Sequence, residues 1–132
     1  MKIAILQINP ITGDLAHNAG KLLDAVREAA ASGAELCVAP ELALSGHNAG
    51  DLFLQPGFVA RCRDMLSAMA VELEAEKKLP PLLLGAPIAN PVPQGKPLQS
   101  CAVLLSEGRV SVISRKVLLP ANGSDTEHHY FE

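Results

Sequence analysis

The sequence predicts an α/β fold, and three observations carry that reading. Short apolar runs alternate with longer segments of helical periodicity from Lys2 to Ala86. Strand, helix and strand follow one another at the spacing of one βαβ unit, which argues for parallel neighbours. Two later apolar runs flank a Glu-Gly turn, the pattern of an antiparallel hairpin.

Residues 2–8 are almost continuously apolar (Ile3, Ala4, Ile5, Leu6, Ile8) and stop at Asn9-Pro10. Such a run reads as a strand buried on both faces. Thr12-Gly13-Asp14 is turn chemistry. Leu15, Ala19, Leu22, Val26 and Ala29 recur at helical spacing, with Asp14 or Asn18 as the cap and Gly33 as the stop. Residues 35–39 form a second short apolar run, ended by Pro40. Residues 41–58 carry Gly46, Gly50, Pro56 and Gly57 and read as a long loop with little regular structure. Loops of that length inside a compact domain are more often functional than idle.

Val59, Cys62, Leu66, Met69, Ala70 and Leu73 mark a second amphipathic helix. Its wet side holds Glu72, Glu74, Glu76, Lys77 and Lys78, and Pro80-Pro81 forbids its continuation. Residues 82–86 are a third strand. The Pro- and Gly-rich stretch 90–97 is an exposed loop, and residues 98–106 and 109–114 are strands around Glu107-Gly108. The stretch 116–132 is polar after Pro120 and has no clear period.

Composition narrows the function classes. A chain of 132 residues is one domain by default, and 48% hydrophobic content with a mean hydropathy of +0.21 excludes intrinsic disorder. Eleven Lys and Arg against fourteen Asp and Glu leave a net charge of −3, which gives no electrostatic case for nucleic acid or an anionic membrane. Aromatic residues make up 3% and Trp is absent, so base-stacking platforms are not expected. No apolar run approaches the ~20 residues of a membrane span, and the start is too short for a secretory signal. An odd three cysteines without paired spacing point to free thiols in a reducing, cytoplasmic setting.

Few residues carry chemistry. Glu41 directly follows a strand and Pro40, at the strand end where open α/β folds place their sites. Partial burial there would suit a general base; the plainer reading is an acid that caps a turn. Lys116 ends the hairpin among Val117, Leu118 and Leu119. It can serve as a fixed cation against an oxyanion, or simply lay its stem on apolar surface. Cys37, Cys62 and Cys101 sit among apolar neighbours as core filler. His128-His129 lack further ligands nearby, and isolated His17 and His47 read the same way, so no metal site is expected. Asn122-Gly123-Ser124 matches a glycosylation acceptor that a cytosolic chain would not use.

Two motifs carry a family resemblance. Val38-Ala39-Pro40-Glu41-Leu42-Ala43-Leu44-Ser45-Gly46 resembles the glutamate motif of the nitrilase, or carbon–nitrogen hydrolase, superfamily. Lys116-Val117-Leu118-Leu119-Pro120 resembles its lysine motif, and Ile3 to Asn9 with Gly13-Asp14 and Asn18 is similar to its first strand and helix. Gly46 with Asp51-Leu52-Phe53-Leu54-Gln55-Pro56-Gly57-Phe58 resembles a loop in the glutaminase domain of glutamine-dependent NAD+ synthetases. Glu127-His128-His129-Tyr130-Phe131 is similar to their segment after the lysine motif.

The resemblance implies a nitrilase-like αββα sandwich, of which this chain corresponds to about the first half. It implies a Glu–Lys–Cys triad with Glu41 as general base and Lys116 as oxyanion stabiliser. Glu127 would be the second acid, orienting Lys116 and the substrate amide. Asn122 and His47 fall at positions where the family contacts substrate. The implied activity is hydrolysis of glutamine, with ammonia passed to a synthetase domain that amidates deamido-NAD. ATP and Mg2+ would serve that missing domain, and this chain itself needs no cofactor.

The chain also departs from the family. No cysteine follows Lys116, although the family's nucleophile lies downstream of that motif. His47 stands where a tyrosine is usual, Gln99 where an asparagine is usual, and Asn122 where the glutaminases place a tyrosine. His128 and His129 replace a basic pair. The chain alone is therefore expected to be inactive, and as half a sandwich to self-associate or depend on a missing part. The rival readings are an amidase acting on a small amide and a non-catalytic binding or assembly module.

Overall fold

A computed structural model describes residues 1–47, 49–119 and 127–132, with the backbone alone at Glu127 and His128. Five strands form one mixed sheet in sequence order: β1 (Ile3–Ile5), β2 (Leu36–Val38), β3 (Leu82–Ala89), β4 (Leu98–Ser106) and β5 (Arg109–Arg115). The β1–β2 and β2–β3 pairs are parallel, and β3–β4 and β4–β5 are antiparallel. Helices α1 (Leu15–Ala31) and α2 (Phe58–Ala75) make the two parallel crossovers. Glu107 and Gly108 both take positive φ, +52° and +68°, as a two-residue hairpin turn of primed type requires.

The core lies between the helices and one face of the sheet. Leu22 and Val26 of α1 and Cys62, Leu66 and Met69 of α2 are buried with Cys37, Leu82, Leu84, Val103 and Leu105 of the strands. Alternation along β3 and β4 sends every second side chain to that face. Asp14 caps α1 by accepting the His17 N–H at 3.1 Å. Asn18 has a different task, since its fully buried amide bonds the backbone N–H and C=O of Ile11 and the C=O of Leu44. Arg27 on α1 reaches Glu72 and Glu76 at the end of α2, and the Arg27 guanidinium holds the Glu76 carboxyl below its ordinary range.

The apolar run at the start is a strand, but it is not buried on both faces. Ile3 is 50% and Ile5 70% exposed, because β1 is an edge strand and helices cover only one face of the sheet. Leu36, Val38, Leu83, Ala102 and Leu104 share that second face and are only half-buried. The loop 41–58 also holds more order than its composition suggests. Leu42, Ala43, Leu44 and Ser45 are buried, and Gly50–Leu54 forms a 3₁₀ turn.

The C-terminal stretch, read as aperiodic, ends in a short helix, α3 (Glu127–Tyr130). Tyr130 and Phe131 pack on Phe53 of the 3₁₀ turn, with ring centroids 5.9 and 5.1 Å apart. Phe131 bridges to Leu98 at the start of β4. The Tyr130 hydroxyl donates to Asp51 Oδ1 at 2.9 Å, and that bond, with some desolvation and the Asp51 charge, raises its pKa.

Two outcomes follow. The half-exposed apolar face should make the 132-residue chain associate, and Ile5→Lys should shift it towards monomer in light scattering. Tyr130 is the sole tyrosine, so tyrosinate absorbance reports it alone. A folded-state pKa above the unfolded value means its contribution is fully present below the unfolded tyrosine pKa of ~10. That contribution is lost as pH rises through the folded pKa, and Asp51→Asn should lower the titration midpoint.

Candidate active site

The end of β2 decides where the site lies. β2 pairs with β3 only at Cys37–Leu82 and Val38–Leu83, so the rest of β3 has no parallel neighbour. The chain after Val38 fills that place. Ala39 N–H donates to Leu83 C=O at 2.8 Å, and Gly85 N–H to Pro40 C=O at 3.3 Å. Glu41 comes next and lies directly against β3. A Cβ at Gly85 would sit 2.6 Å from Glu41 Cα, closer than two carbons can approach.

The turn then reverses sharply. Leu42 takes φ +52°, a left-handed conformation that is costly for leucine, while its side chain is almost fully buried. The turn is closed by Gly46 N–H to Leu42 C=O at 2.8 Å. It is tied to the loop before α1 by Gly13 N–H to Ser45 C=O at 2.9 Å and by Asn18 to Leu44 C=O at 2.8 Å.

Lys116 arrives from the opposite edge of the sheet. The β4–β5 register shifts between Ala102 and Val103, a bulge that turns the end of β5. Lys116 N–H then donates to Ser100 C=O at 2.8 Å, and its Nζ stands 3.4 and 3.5 Å from the two Glu41 carboxylate oxygens. The side chains are 41% exposed at Glu41 and 32% at Lys116, so solvent screens the pair. Ser100 Oγ donates to Glu41 Oε1 at 2.8 Å.

These groups border a depression of about 420 Å3 on the face away from the helices. Val38, Leu83, Gly85 and Ala102 are among its apolar members, and Glu41, Ser100, Ser114 and Lys116 are its polar ones. A carboxylate and an ammonium beside an apolar floor can move a proton and stabilise a developing negative charge.

The three cysteines are buried and free. Burial pushes the Cys62 thiol up to about 11 and raises Cys37. Cys101 borders the depression, but burial raises its thiol too, opposed by the Arg115 charge. None has the depressed pKa of an activated thiolate.

Of the residues singled out in the sequence, the structure brings Glu41 and Lys116 together. His47 is exposed and does not line the depression. Asn122 and the side chain of Glu127 lie outside the described residues. Gln99 is buried and donates to Asn90 Oδ1 at 3.2 Å, bracing the loop 90–97. Among the described residues, no group of three or more His, Cys, Asp or Glu is placed to hold a metal, and no helix is long and apolar enough to cross a membrane. Sequence reasoning passed over Gly85 and Ser100. A glycine inside an apolar strand and a serine inside another were the signals for close backbone approach and a buried hydrogen bond.

Residues 2–132 match the family model described as Carbon-nitrogen hydrolase. The chain belongs to that family. Its helix and sheet layers match solved structures with the nitrilase-like fold. A glutamine-dependent NAD(+) synthetase from Cytophaga hutchinsonii superposes with TM-score 0.84 at 25% identity, over 98% of this chain and 21% of that one. A mutant amidase from Nesterenkonia sp. AN1, in complex with butyramide, gives TM-score 0.77 at 26% identity, over 100% of this chain and 48% of that one. In sequence, a glutamine-dependent NAD(+) synthetase from Synechocystis is 38% identical over 98% of this chain. This carbon–nitrogen hydrolase segment spans 23% of that relative's length.

Gly85→Ala tests the close approach. The added methyl meets backbone, which a rotamer change cannot relieve. Overpacking of this kind costs about 1–3 kcal/mol. Denaturant unfolding should show that loss, and amide chemical shifts should move most at Pro40's neighbours, Glu41 and Lys116.

Proposed function

We propose that this segment supplies the general base and the oxyanion-stabilising cation of a glutamine amidohydrolase. The released ammonia serves ATP-dependent amidation of deamido-NAD in a synthetase part beyond this segment. The observation that supports it most is the Glu41–Lys116 pair, built from two family motifs 75 positions apart and held at 3.4 Å. The 38% identity to a glutamine-dependent NAD(+) synthetase supports the choice of substrate.

In this reading a cysteine downstream of Glu132 is the nucleophile. Glu41 takes the thiol proton, and the thiolate attacks the amide carbon. Lys116 stabilises the tetrahedral oxyanion. The C–N bond then breaks, and the leaving nitrogen takes the proton from Glu41 as ammonia departs. A water, deprotonated by Glu41, cleaves the thioester and releases glutamate. Glu127 is the second acid, and Asn122 is a substrate-side residue. ATP and Mg2+ belong to the synthetase part. The setting is cytoplasmic, with a homo-oligomer as the assembly.

Hydrolysis of a small acyl amide is the second reading. The likeness to the butyramide-bound amidase and the apolar members of the depression favour it.

The test starts from the longest natural protein carrying this segment, with an intact mass above 13.9 kDa. Glutamine should be hydrolysed faster than butyramide. Glu41→Gln and Lys116→Ala should each lower kcat/KM by about a thousandfold or more, and the 132-residue chain should be inactive. Preference for butyramide would establish the second reading, and unchanged turnover in Glu41→Gln would sink both.

A further inference from the structure

We propose that Ser100 is a positioning residue for Glu41, setting which carboxylate oxygen is left to accept the proton. The inference rests on the amide-hydrolase reading above and deepens it. Ser100 is 3% exposed on β4, in a strand whose neighbours are largely apolar. A hydroxyl buried there must find a partner, and Oγ finds Glu41 Oε1 at 2.8 Å. The Ser100 carbonyl accepts the Lys116 N–H, also at 2.8 Å. One residue thus grips the base through its side chain and the cation through its backbone.

The distances divide the carboxylate unevenly. Oε1 accepts from Ser100 at 2.8 Å and from Lys116 at 3.4 Å. Oε2 has only the long 3.5 Å approach of Lys116 among the described residues. A lysine at those distances is a flexible point charge and does not fix the rotation of a carboxylate. A short bond from a buried hydroxyl does. Ser100 therefore anchors Oε1, and Oε2 is the oxygen presented to a thiol or a water. When Oε2 takes the proton, Oε1 keeps its bond and the group does not swing away.

The long natural protein is assayed with glutamine as wild type and as Glu41→Ala, Ser100→Ala, Ser100→Thr and Ser100→Val. Removing a hydrogen bond to a charged group should lower kcat in Ser100→Ala about tenfold to a hundredfold, with KM within about twofold. Threonine keeps the hydroxyl and should retain most of kcat. Valine has the shape of threonine without the hydroxyl, and should behave as alanine. Melting midpoints are taken for each variant. Alanine removes one atom and adds none, so its kcat-against-KM split decides the matter even if threonine and valine fail to fold.

Equal rates for folded threonine and valine variants, wild-type kcat in Ser100→Ala, or a loss shared by kcat, KM and melting point would overturn the role of Ser100. Any of these beside a dead Glu41→Ala overturns this inference alone. A wild type without amide turnover, or an unaffected Glu41→Ala, overturns the functional reading and this inference with it.

Discussion

The contact between the Glu41 backbone and Gly85 is the constraint on which the site depends. Strand β2 is three residues long, and its early end leaves β3 half unpaired. A turn can lie against the sheet there only if β3 presents no side chain at the point of crossing. Gly85 meets that condition. The crossing then directs the chain into the buried Leu42–Ser45 reversal, where apolar burial opposes the strained φ of Leu42. Glu41 thus stands on a rigid corner rather than a free loop, and its carboxylate lies within reach of β4.

Helices α1 and α2 and the five strands were legible because each carries its own period or turn signal, whereas the four-residue α3 is too short to show one. Asp14, Gly33 and Pro40 punctuate them within a residue or two, whereas α2 ends at Ala75, short of Pro80-Pro81, and Lys77 and Lys78 lie beyond it. Glu41 and Lys116 were legible as single residues at strand ends and as family motifs. Their meeting was not, because it needs the β4–β5 register and its bulge, which no local pattern encodes. Order in the loop 41–58 also escaped. Glycine and proline content describes backbone freedom, whereas Asn18, Thr12 and the aromatic rings that restrain this loop lie elsewhere in the chain. The exposure of Ile3 and Ile5 was hidden for a similar reason. An apolar run states what a strand can be buried against, not whether that layer belongs to the same segment.

The two faces of the sheet divide the labour. The helix-covered face carries the core, including all three cysteine thiols, and burial keeps them protonated and inert. The other face carries the depression and the charged pair. Chemistry and stability therefore draw on different residues of the same strands. Alternation in β4 places Cys101 and Val103 in the core, while Ala102, on the opposite face, lines the depression.

The aromatic seam between the 3₁₀ turn and the C-terminal helix has a bearing on how the chain assembles. Phe53 follows the Glu41 corner, and Tyr130 and Phe131 follow the Lys116 end of β5. The seam therefore closes a loop spanning most of the chain, and closure of so long a loop carries an entropy cost that local helices do not. Contacts of such sequence separation are the ones that slow folding. The ion pair at the site belongs to the same class of distant contacts. Its charges meet only when the full strand order is in place, so a nascent or misregistered chain holds the same residues without holding a site.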